Sequence, residues 1–433
     1  MIPAKKKIAI IGAGWAGCAA AVELSRQDQD VTLFESARVL GGRARSVDIN
    51  GMSLDNGQHI LLGAYSETLR LMRLVDIDIA QSLLNLPLQM CYPRDSGGMD
   101  FVAPRLPAPL HLLVALLRAK GLSIEDKLAL ARFSTTARWM GWQLNTDCSV
   151  TELLTRFDQT ERLTQLMWRP LCIAALNTPP DRASAQVFLN VLRDSLGARR
   201  AASDMLIPRV NLSELFPKYA ATFVERQGGT VLLGHTVNNI MKHDEGWQLN
   251  VSGNEATKQS GKYFDVVVVA TQAEHAATLL SNWIDVAPLT ALQYEPITTC
   301  YLQYGPSIRL PQAFYALIDD ATDDSTTEHW GQFVFDRGAL DAEQAGLLAV
   351  VVSASTDAIA LGREALTAAI AAQLSEVFQW PELMQPKWGK VITEKRATFA
   401  CSPGLVRPSN LTTHEGLVIA GDYTASDYPA TLE

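Results

Sequence analysis

Short apolar runs without alternation occur near both ends of the chain. They are Ile8–Ile11, Val31–Phe34, the stretch "FDVVVVAT" at 264–271 and Leu417–Ala420. A strand with one exposed face alternates apolar and polar positions, whereas a strand of a parallel sheet is covered on both faces and stays apolar throughout. The pattern therefore predicts an α/β domain with a buried parallel sheet, whose strands come from distant parts of the chain.

The middle of the chain has a different pattern. Residues 105–200 are apolar and helical in character. Ser123 and Asp126 have the spacing of a capping box at a helix start, and Pro179-Pro180 marks a break. The most apolar stretch, 106–121, is interrupted by prolines and by His111. It falls short of the ~18–20 apolar residues that a membrane-spanning helix requires.

A glycine motif follows the first predicted strand. Gly12, Gly14 and Gly17 form GxGxxG between this strand and a predicted helix, and Glu35 ends the second strand about 20 residues beyond Gly14. The three glycines allow a tight turn, close approach of a pyrophosphate to the backbone, and close helix–strand packing. A glycine-rich surface turn would not require Glu35. The acidic residue disfavours a ribose 2′-phosphate, which leaves NAD or FAD as the predicted dinucleotide.

The stretch "GGRARS" at 41–46 bears on that choice. Gly41 and Gly42 allow backbone to approach a large planar cofactor or its phosphates, and Arg43 can offer a delocalised cation to the pyrophosphate. The alternative is that Arg43 and Arg45 are surface charges in a loop. The upstream glycine motif favours cofactor contact.

Composition narrows the function classes. The chain has 433 residues, 48% of them apolar and 19% charged, with a net charge of −9. These values predict two or three packed lobes, and the lack of any basic run longer than Lys5-Lys6-Lys7 argues against a nucleic-acid surface. The six cysteines have no CxxC spacing and no histidine at ligand spacing, so we expect no metal site, no disulfide framework and a reducing cytoplasm. The N-terminus enters a strand almost at once, so no signal peptide is expected.

The motif GxGxxGxxxAxxL from Gly12, the acidic strand end at Glu35 and GGR at 41–43 together resemble the FAD-containing amine oxidase and phytoene desaturase superfamily. The resemblance implies a Rossmann-like FAD-binding domain of that type, α/β in class, with an inserted mixed helical and β substrate domain. It implies that GGR runs beside pyrophosphate and flavin, that "LDNGQHILLGAY" at 54–65 passes near the flavin, and that the Gly421-Asp422 carboxylate binds the ribityl chain. Val237 would contact adenine through main-chain atoms, although a plain core role is equally compatible with its side chain.

The expected cofactor contacts share these glycine-rich or strand-end positions. They are Gly12, Gly14, Trp15, Ala16, Gly17, Glu35, Ser36, Gly41, Gly42, Arg43, Gly57, Gln58, His59, Val237, Gly421, Asp422, Ala430, Thr431 and Leu432.

The spread of these motifs predicts a discontinuous FAD-binding domain built from residues 1–75, 205–280 and 385–433. The intervening segments, mostly helical 76–204 and more strand-like 281–384, would form the substrate domain.

Three stretches narrow the resemblance: "PAPLHLLVALLRAKGLS", "WRPLCIAALNTPPDRASAQVFLNVLRDSL" and "LIPRVNLSELFP". They resemble the squalene-associated FAD-dependent desaturases, now understood as hydroxysqualene dehydroxylases of bacterial hopanoid and carotenoid pathways, from about Lys7 to Thr431. The resemblance implies that an apolar C30 isoprenoid alcohol loses its allylic hydroxyl and gains hydride from reduced FAD, yielding squalene. There is one departure: relatives continue into a helix facing the flavin pyrimidine edge, where Ala430, Thr431 and Leu432 would sit, so the C-terminus is expected to be truncated or to lack that helix.

The general acid cannot be derived from sequence. His59 is the first candidate because its segment should lie near the flavin, and Asp55 and Tyr65 are weaker candidates. The alternative for His59 is a loop histidine bonded to backbone carbonyls.

Substrate supply suggests peripheral contact with the inner face of the cytoplasmic membrane. Residues 106–121 carry an apolar surface with Arg118 and Lys120 at one end, which suits an interfacial helix, although an ordinary buried lobe helix has the same periodicity. Three other functions remain open: an isoprenoid desaturase of the phytoene or carotene type, a flavin amine oxidase, and a non-enzymatic prenyl-chain carrier.

Overall fold

The structure is a computed structural model that describes residues 5–49, 51–94, 96–253, 261–319 and 329–433. Its strands are β1 Lys7–Ile11, β2 Asp30–Glu35, β3 Ser46–Ile49, β4 Met52–Asp55, β5 Leu61–Leu62, β6 Leu83–Leu86, β7 Gln89–Cys91, β8 Asp100–Val102, β9 Met205–Pro208, β10 Thr230–Leu233, β11 His235–His243, β12 Gly246–Gly253, β13 Tyr263–Phe264, β14 Val266–Val269, β15 Tyr294–Gln303, β16 Phe314–Ala316, β17 Phe333–Asp336, β18 Leu347–Ser353, β19 Trp388–Phe399 and β20 Leu417–Ile419.

Its helices are α1 Trp15–Arg26, α2 Ser66–Leu74, α3 Ile79–Ser82, α4 Leu110–Arg118, α5 Ile124–Trp139, α6 Val150–Arg156, α7 Glu161–Leu163, α8 Arg169–Leu176, α9 Ala185–Ser195, α10 Leu212–Leu215, α11 Pro217–Arg226, α12 Ala273–Leu280, α13 Ala287–Thr290, α14 Arg337–Leu340, α15 Thr356–Ala360 and α16 Arg363–Phe378.

The four apolar runs form β2, β1, β14 and β20, which are neighbours in one five-stranded parallel sheet of order β10-β2-β1-β14-β20. Ile8 pairs with Val266 and Val31, and Val267 pairs with Leu417. The predicted α/β class with a Rossmann-like sheet is confirmed. The strands of this sheet are far apart in sequence, because long segments of chain separate β2, β14 and β20.

A second five-stranded sheet is antiparallel, in the order β16-β17-β18-β15-β19. All seven residues of β18 are buried, and β15 lies between β18 and β19 along most of its length. The strand β19 thus pairs with this second sheet, although it falls in the segment 385–433 that the sequence assigns to the FAD-binding domain. β19 therefore belongs by sequence position to the proposed FAD-binding domain and by pairing to the second sheet.

Helices occupy most of the segment between β8 and β9. The predicted capping box is confirmed, since the Ser123 side chain accepts from the Asp126 N–H and the Asp126 side chain accepts from the Ser123 N–H. The break at the two prolines is also present: α8 ends at Leu176, Asn177 takes a left-handed conformation, and α9 begins at Ala185. Among the described residues, no helix has both the length and the apolar character needed to cross a membrane.

Candidate functional site

The GxGxxG turn lies at the carboxyl end of β1 and is shaped by its glycines. Gly12 has φ +103, and a Cβ there would lie 2.7 Å from the Ala270 carbonyl oxygen. A Cβ on Gly17 would lie 1.9 Å from the Gly12 carbonyl oxygen. Gly14 precedes α1, whose free N–H groups face outward from the turn. Helix and strand therefore approach as closely as the sequence predicts, and only glycine fits at 12 and 17.

The GGR loop packs on this turn through main-chain atoms of its glycines. The Gly41 N–H donates to the Ala13 carbonyl oxygen at 2.9 Å. A Cβ on Gly42 would lie 3.0 Å from the Gly14 Cα, and both loop glycines have positive φ, +111 and +62. Two glycine motifs separated by about 25 residues thus form one continuous backbone surface.

Arg43 joins this surface to the late strand. Its guanidinium donates to the Asp422 Oδ1 at 2.7 Å and to the Ala397 carbonyl oxygen at 2.8 Å. Burial alone would lower the pKa of Arg43, but the adjacent Asp422 carboxylate raises it above its usual value. The guanidinium therefore stays charged. The turn, the arginine loop and Gly421-Asp422 lie together, as the sequence predicts, with Arg43 and Asp422 bonded to each other.

Glu35 is at the end of β2, beside the turn. Its carboxylate accepts from the Ala13 N–H at 2.7 Å and from the Ala37 N–H at 2.8 Å, and the Ser36 hydroxyl lies 3.3 Å from it. Val237 is buried on β11. These positions are compatible with the expected ribose and adenine contacts, which stay predictions.

Several buried polar atoms beside these segments have no hydrogen-bond partner within the described ranges. Trp15 Nε1 follows Gly14 directly, Gln58 Nε2 follows Gly57, and Tyr423 Oη follows Asp422. A buried donor without a partner costs free energy, so such atoms indicate a ligand-facing surface. Bare backbone, one charged arginine and orphaned donors fit a large dinucleotide with a polar ring, so the residues present suit FAD.

Asp55 is buried at the end of β4. Its Oδ1 accepts from the Leu212 N–H at 2.8 Å, and its carbonyl oxygen accepts from the Tyr301 hydroxyl at 3.0 Å. Burial raises the pKa of Asp55 to about 6. The Asp55 carboxyl group thus connects β4 to α10, and the Asp55 main-chain carbonyl connects β4 to β15. The role of Asp55 as an acid stays a prediction.

His59 is half-buried, and its Nδ1 lies 2.9 Å from the Gly57 carbonyl oxygen. A carbonyl oxygen only accepts, so Nδ1 carries the proton and Nε2 of the neutral ring is an acceptor. Burial lowers the pKa of His59, and the Gly57 carbonyl opposes that shift. The contact is the one expected of a loop histidine bonded to backbone, so proton donation from Nε2 requires a second proton on the ring. The role of His59 as the acid stays a prediction.

Tyr65 precedes α2, and burial raises the pKa of its phenol to about 12. The Glu433 carboxylate accepts from the Glu67 N–H at 2.9 Å and the Thr68 N–H at 3.0 Å, so it caps this helix. Leu432 and Tyr65 both pack against the same hydrophobic core. The end of the chain therefore lies beside segment 54–65, a contact that the sequence did not indicate.

Ala430 and Thr431 are also near this end. Ala430 packs against the main hydrophobic core, and Thr431 Oγ1 accepts from the Glu433 N–H at 3.2 Å. Their contact with a flavin edge stays a prediction.

Sequence reasoning missed the partners that come from α14, which follows β17, and from β19 of the second sheet. Arg337, only 2% exposed, donates to the Gln58 Oε1 at 2.9 Å, and Glu394 on β19 accepts from the Asn56 side chain at 2.9 Å. Nothing in the stretch around Arg337 distinguishes it from a surface arginine after a strand. No group of three or more His, Cys, Asp or Glu side chains that could hold a metal ion is present in the described part of the chain.

Comparison with known proteins places this geometry among flavoproteins. A family model described as "Flavin containing amine oxidoreductase" matches residues 15–433. The chain is 27% identical over 442 residues to the hydroxysqualene dehydroxylase of Rhodopseudomonas palustris, covering 99% of this chain and 95% of that protein. It is 24% identical to the zeta-carotene desaturase of Zea mays, covering 99% of this chain and 81% of that protein. An oxidoreductase structure from Methanosarcina mazei has a TM-score of 0.71 at 15% identity, covering 96% of this chain and 95% of that one, which supports the fold.

Proposed function

Since the chain belongs to the flavin-containing amine oxidoreductase family and is an FAD-dependent oxidoreductase, we propose that it converts hydroxysqualene to squalene by reductive loss of the hydroxyl group. The observation that carries this proposal is the similarity to the Rhodopseudomonas palustris enzyme along nearly the full length of both chains. The pathway would be squalene and hopanoid biosynthesis in a bacterium.

The reaction breaks the allylic C–O bond and forms a C–H bond at the carbon that carried the hydroxyl. The oxygen leaves as water after it takes up a proton, and the allylic cation that remains is delocalised. FAD, when bound and reduced, supplies the hydride that neutralises this cation. The protein must hold a C30 chain, protonate the leaving oxygen and keep out water that would recapture the cation.

His59 is the proposed proton donor. Burial lowers the pKa of His59, and the bond from Nδ1 to the Gly57 carbonyl holds the ring in place and partly offsets this shift away from the protonated form. In that form Nε2 carries a proton that can pass to the leaving hydroxyl. Asp55 and Tyr65 are the reserve candidates. Asp55 retains a proton to a higher pH than an exposed carboxyl group would.

The cofactor would lie across the turn, the arginine loop and Gly421-Asp422. The bare backbone at Gly14 and Gly42 would receive the pyrophosphate at the start of α1, with the Arg43 charge nearby. Glu35 would take the adenosine ribose and Val237 the adenine. The proposed FAD-binding domain combines residues 1–75, 205–280 and 385–433, and segments 76–204 and 281–384 form the substrate domain.

The experiment is anaerobic incubation of the reduced protein with hydroxysqualene and, separately, of the oxidised protein with squalene, followed by mass analysis. Squalene from the alcohol is the expected result. New conjugated double bonds made by the oxidised protein would instead support a desaturase, the second candidate, which the zeta-carotene desaturase similarity favours. A colourless protein that binds the alcohol without changing it would support a prenyl-chain carrier, and oxidation of amines would support an amine oxidase.

Access to a membrane-dissolved alcohol is proposed to occur through α4 and α5. Large apolar side chains are exposed on both helices: Leu110, Leu113 and Leu117 on α4, and Ile124, Leu128 and Trp139 on α5, with Trp139 89% exposed. Exposed basic residues accompany them, namely Arg105, Arg118, Lys120, Arg132 and Arg138, although the whole chain carries a charge of −9. Apolar side chains surrounded by basic ones suit an anionic lipid surface, here the inner face of the cytoplasmic membrane. α4 is also partly an ordinary lobe helix, because His111 and Ala115 are buried.

Flotation with vesicles tests this proposal. The wild-type protein should float with phosphatidylglycerol vesicles and less with phosphatidylcholine vesicles. The double variant Leu113→Glu/Leu117→Glu should stay at the bottom of the gradient. Val406→Glu is the matched control because Val406 is 74% exposed but lies elsewhere on the chain, and it should float like wild type. A wild-type protein that floats with neither lipid would contradict the proposal.

A further inference from the structure

Gln58 carries an unpaired donor whose direction is fixed by a buried arginine. Its Oε1 accepts from the Arg337 guanidinium at 2.9 Å, whereas its Nε2 is buried and has no partner among the described residues. Arginine only donates, so the amide oxygen must face Arg337. The NH₂ group must then point to the other side, where nothing in the described chain accepts from it.

Arg337 is held by neutral groups. It is 2% exposed, its Nε donates to the Gln344 Oε1 at 2.9 Å, and its Nη1 donates to the Gln58 Oε1. No ion pair joins it to a carboxylate in the described ranges, although its charge lowers the pKa of the buried Asp55 carboxyl group against the larger, opposite effect of burial. Burying a charge without a direct ion-pair partner is costly. The arrangement is explained if the charge serves to orient the Gln58 amide.

Gln58 also lies against the candidate cofactor surface. Two residues earlier, the Asn56 N–H donates to the Arg45 carbonyl oxygen at 2.8 Å, and the Asn56 side chain donates to the Arg43 carbonyl oxygen at 3.3 Å. One residue later is His59. The unpaired NH₂ group is therefore on the segment that packs directly on the GGR loop.

We propose that Gln58 donates a hydrogen bond from Nε2 to an uncharged oxygen or nitrogen acceptor in the reaction site, and that Arg337 is the positioning residue that points it there. The acceptor is either an atom of the flavin ring or the hydroxyl oxygen of the substrate. This inference rests on the proposed function and adds two residues with defined roles: Gln58 contacts the acceptor, and Arg337 acts only through Gln58.

A double-mutant cycle on the holoenzyme tests it, using Gln58→Leu, Arg337→Met and the combination. The readouts are the flavin absorption spectrum, the flavin reduction potential, and the ratio of dissociation constants for hydroxysqualene and squalene. Both single variants should give the same change, and the combination should give no more than either one, because the two residues act as one unit. Gln344→Leu is the matched control, since it also removes one amide partner of Arg337 but leaves the Gln58 bond in place, and it should match wild type.

The two acceptors give different results. A flavin acceptor predicts a shifted spectrum and potential in both single variants. A substrate acceptor predicts an unchanged spectrum and about a tenfold loss of the preference for the alcohol over the hydrocarbon. Unchanged spectra together with an unchanged preference would overturn the inference, and so would additive effects in the cycle.

Two further outcomes are also decisive. If Arg337→Met yields no folded holoenzyme, Gln58→Glu replaces it, because a carboxylate facing Arg337 has no donor and should lose the same preference or shift the same spectrum as Gln58→Leu. If the wild-type protein makes no squalene from hydroxysqualene, the proposed function fails, while the flavin spectra of the variants still decide whether Gln58 donates to the ring.

Discussion

The glycine turn at residues 12–17 and the segment 55–65 both contact the GGR loop, yet they are built in different ways. In the turn the backbone carries the function: added Cβ atoms would collide with carbonyl oxygens 1.9 and 2.7 Å away, and the Gly41 N–H bonds directly to the Ala13 carbonyl. In segment 55–65 the function depends on side chains: the Asp55 carboxyl group bonds Leu212 and the Gln58 amide bonds Arg337, while Tyr301 bonds the Asp55 carbonyl. The turn depends on residues that lack a side chain. Segment 55–65 depends on hydrogen bonds from residues that are distant in sequence.

This difference predicts how each region responds to substitution. In the glycine turn, a single added methyl group should abolish the close helix–strand packing. In segment 55–65, loss of one side-chain contact should reduce stability or activity only in part, by an amount that depends on pH and on the partner that remains. Three substitutions test this contrast and a fourth tests the neighbouring cap on α2, in order from the largest expected effect to the smallest.

Gly17→Ala should have the largest effect. Its methyl group would lie 1.9 Å from the Gly12 carbonyl oxygen, so helix α1 must move away from β1 at a cost of about 3 kcal/mol or more. The midpoint of thermal unfolding and the amount of bound FAD should both fall sharply. Gly14→Ala is the matched control, because its methyl group would meet only the Gly42 Cα at 3.9 Å. That variant should keep the stability of the cofactor-free protein and lose only FAD affinity, and equal loss of stability in both would contradict the steric account.

Asp55→Asn should change how stability depends on pH. Burial raises the pKa of Asp55 to about 6, above its value of about 3.9 in the unfolded chain. The folded protein therefore binds this proton more tightly, so the stability from this group is present below about pH 4 and is lost as the pH rises through about 6. The asparagine variant cannot ionise and should gain up to about 3 kcal/mol relative to wild type between these limits. Urea unfolding across that range measures it, and two parallel curves would refute it.

His59→Ala should slow the reaction rather than unfold the protein. If His59 is the general acid, single-turnover hydride transfer should fall by about 10²-fold. Because burial lowers the pKa of His59, the wild-type rate should decline as the pH rises through a value below the usual one for histidine. A normal rate in a variant with full FAD content would remove His59 from this role, and Asp55 would be tested next.

Glu433→Ala should have the smallest effect. The Glu433 carboxylate caps α2 through the Glu67 and Thr68 N–H groups, and loss of such a cap costs about 1 kcal/mol. Glu433→Gln keeps an acceptor but removes the charge that interacts with the helix dipole, so it should lose less. A thermal unfolding midpoint that both variants leave unchanged would show that the cap contributes nothing to stability.

The fold was largely readable from the sequence because its signals are local. Fully apolar strands such as Val266–Val269 and the Ser123–Asp126 capping box identify themselves within a few residues. The pairing of β19 with β15 was not readable. Charged residues occur along β19, and its partner lies far away in the sequence.

In the candidate site too, local features were readable from the sequence and long-range contacts were not. Sequence by itself determined the glycine turn, the GGR loop and the acidic strand ends, because glycine conformations and short-range sterics depend on neighbouring residues. Only the tertiary structure decided that Arg43 bonds Asp422, that Leu212 and Tyr301 hold Asp55, and that Arg337 orients Gln58 across 279 residues. Hydrogen bonds of that kind depend on where the folded chain brings each side chain, and no local pattern of residues encodes that position.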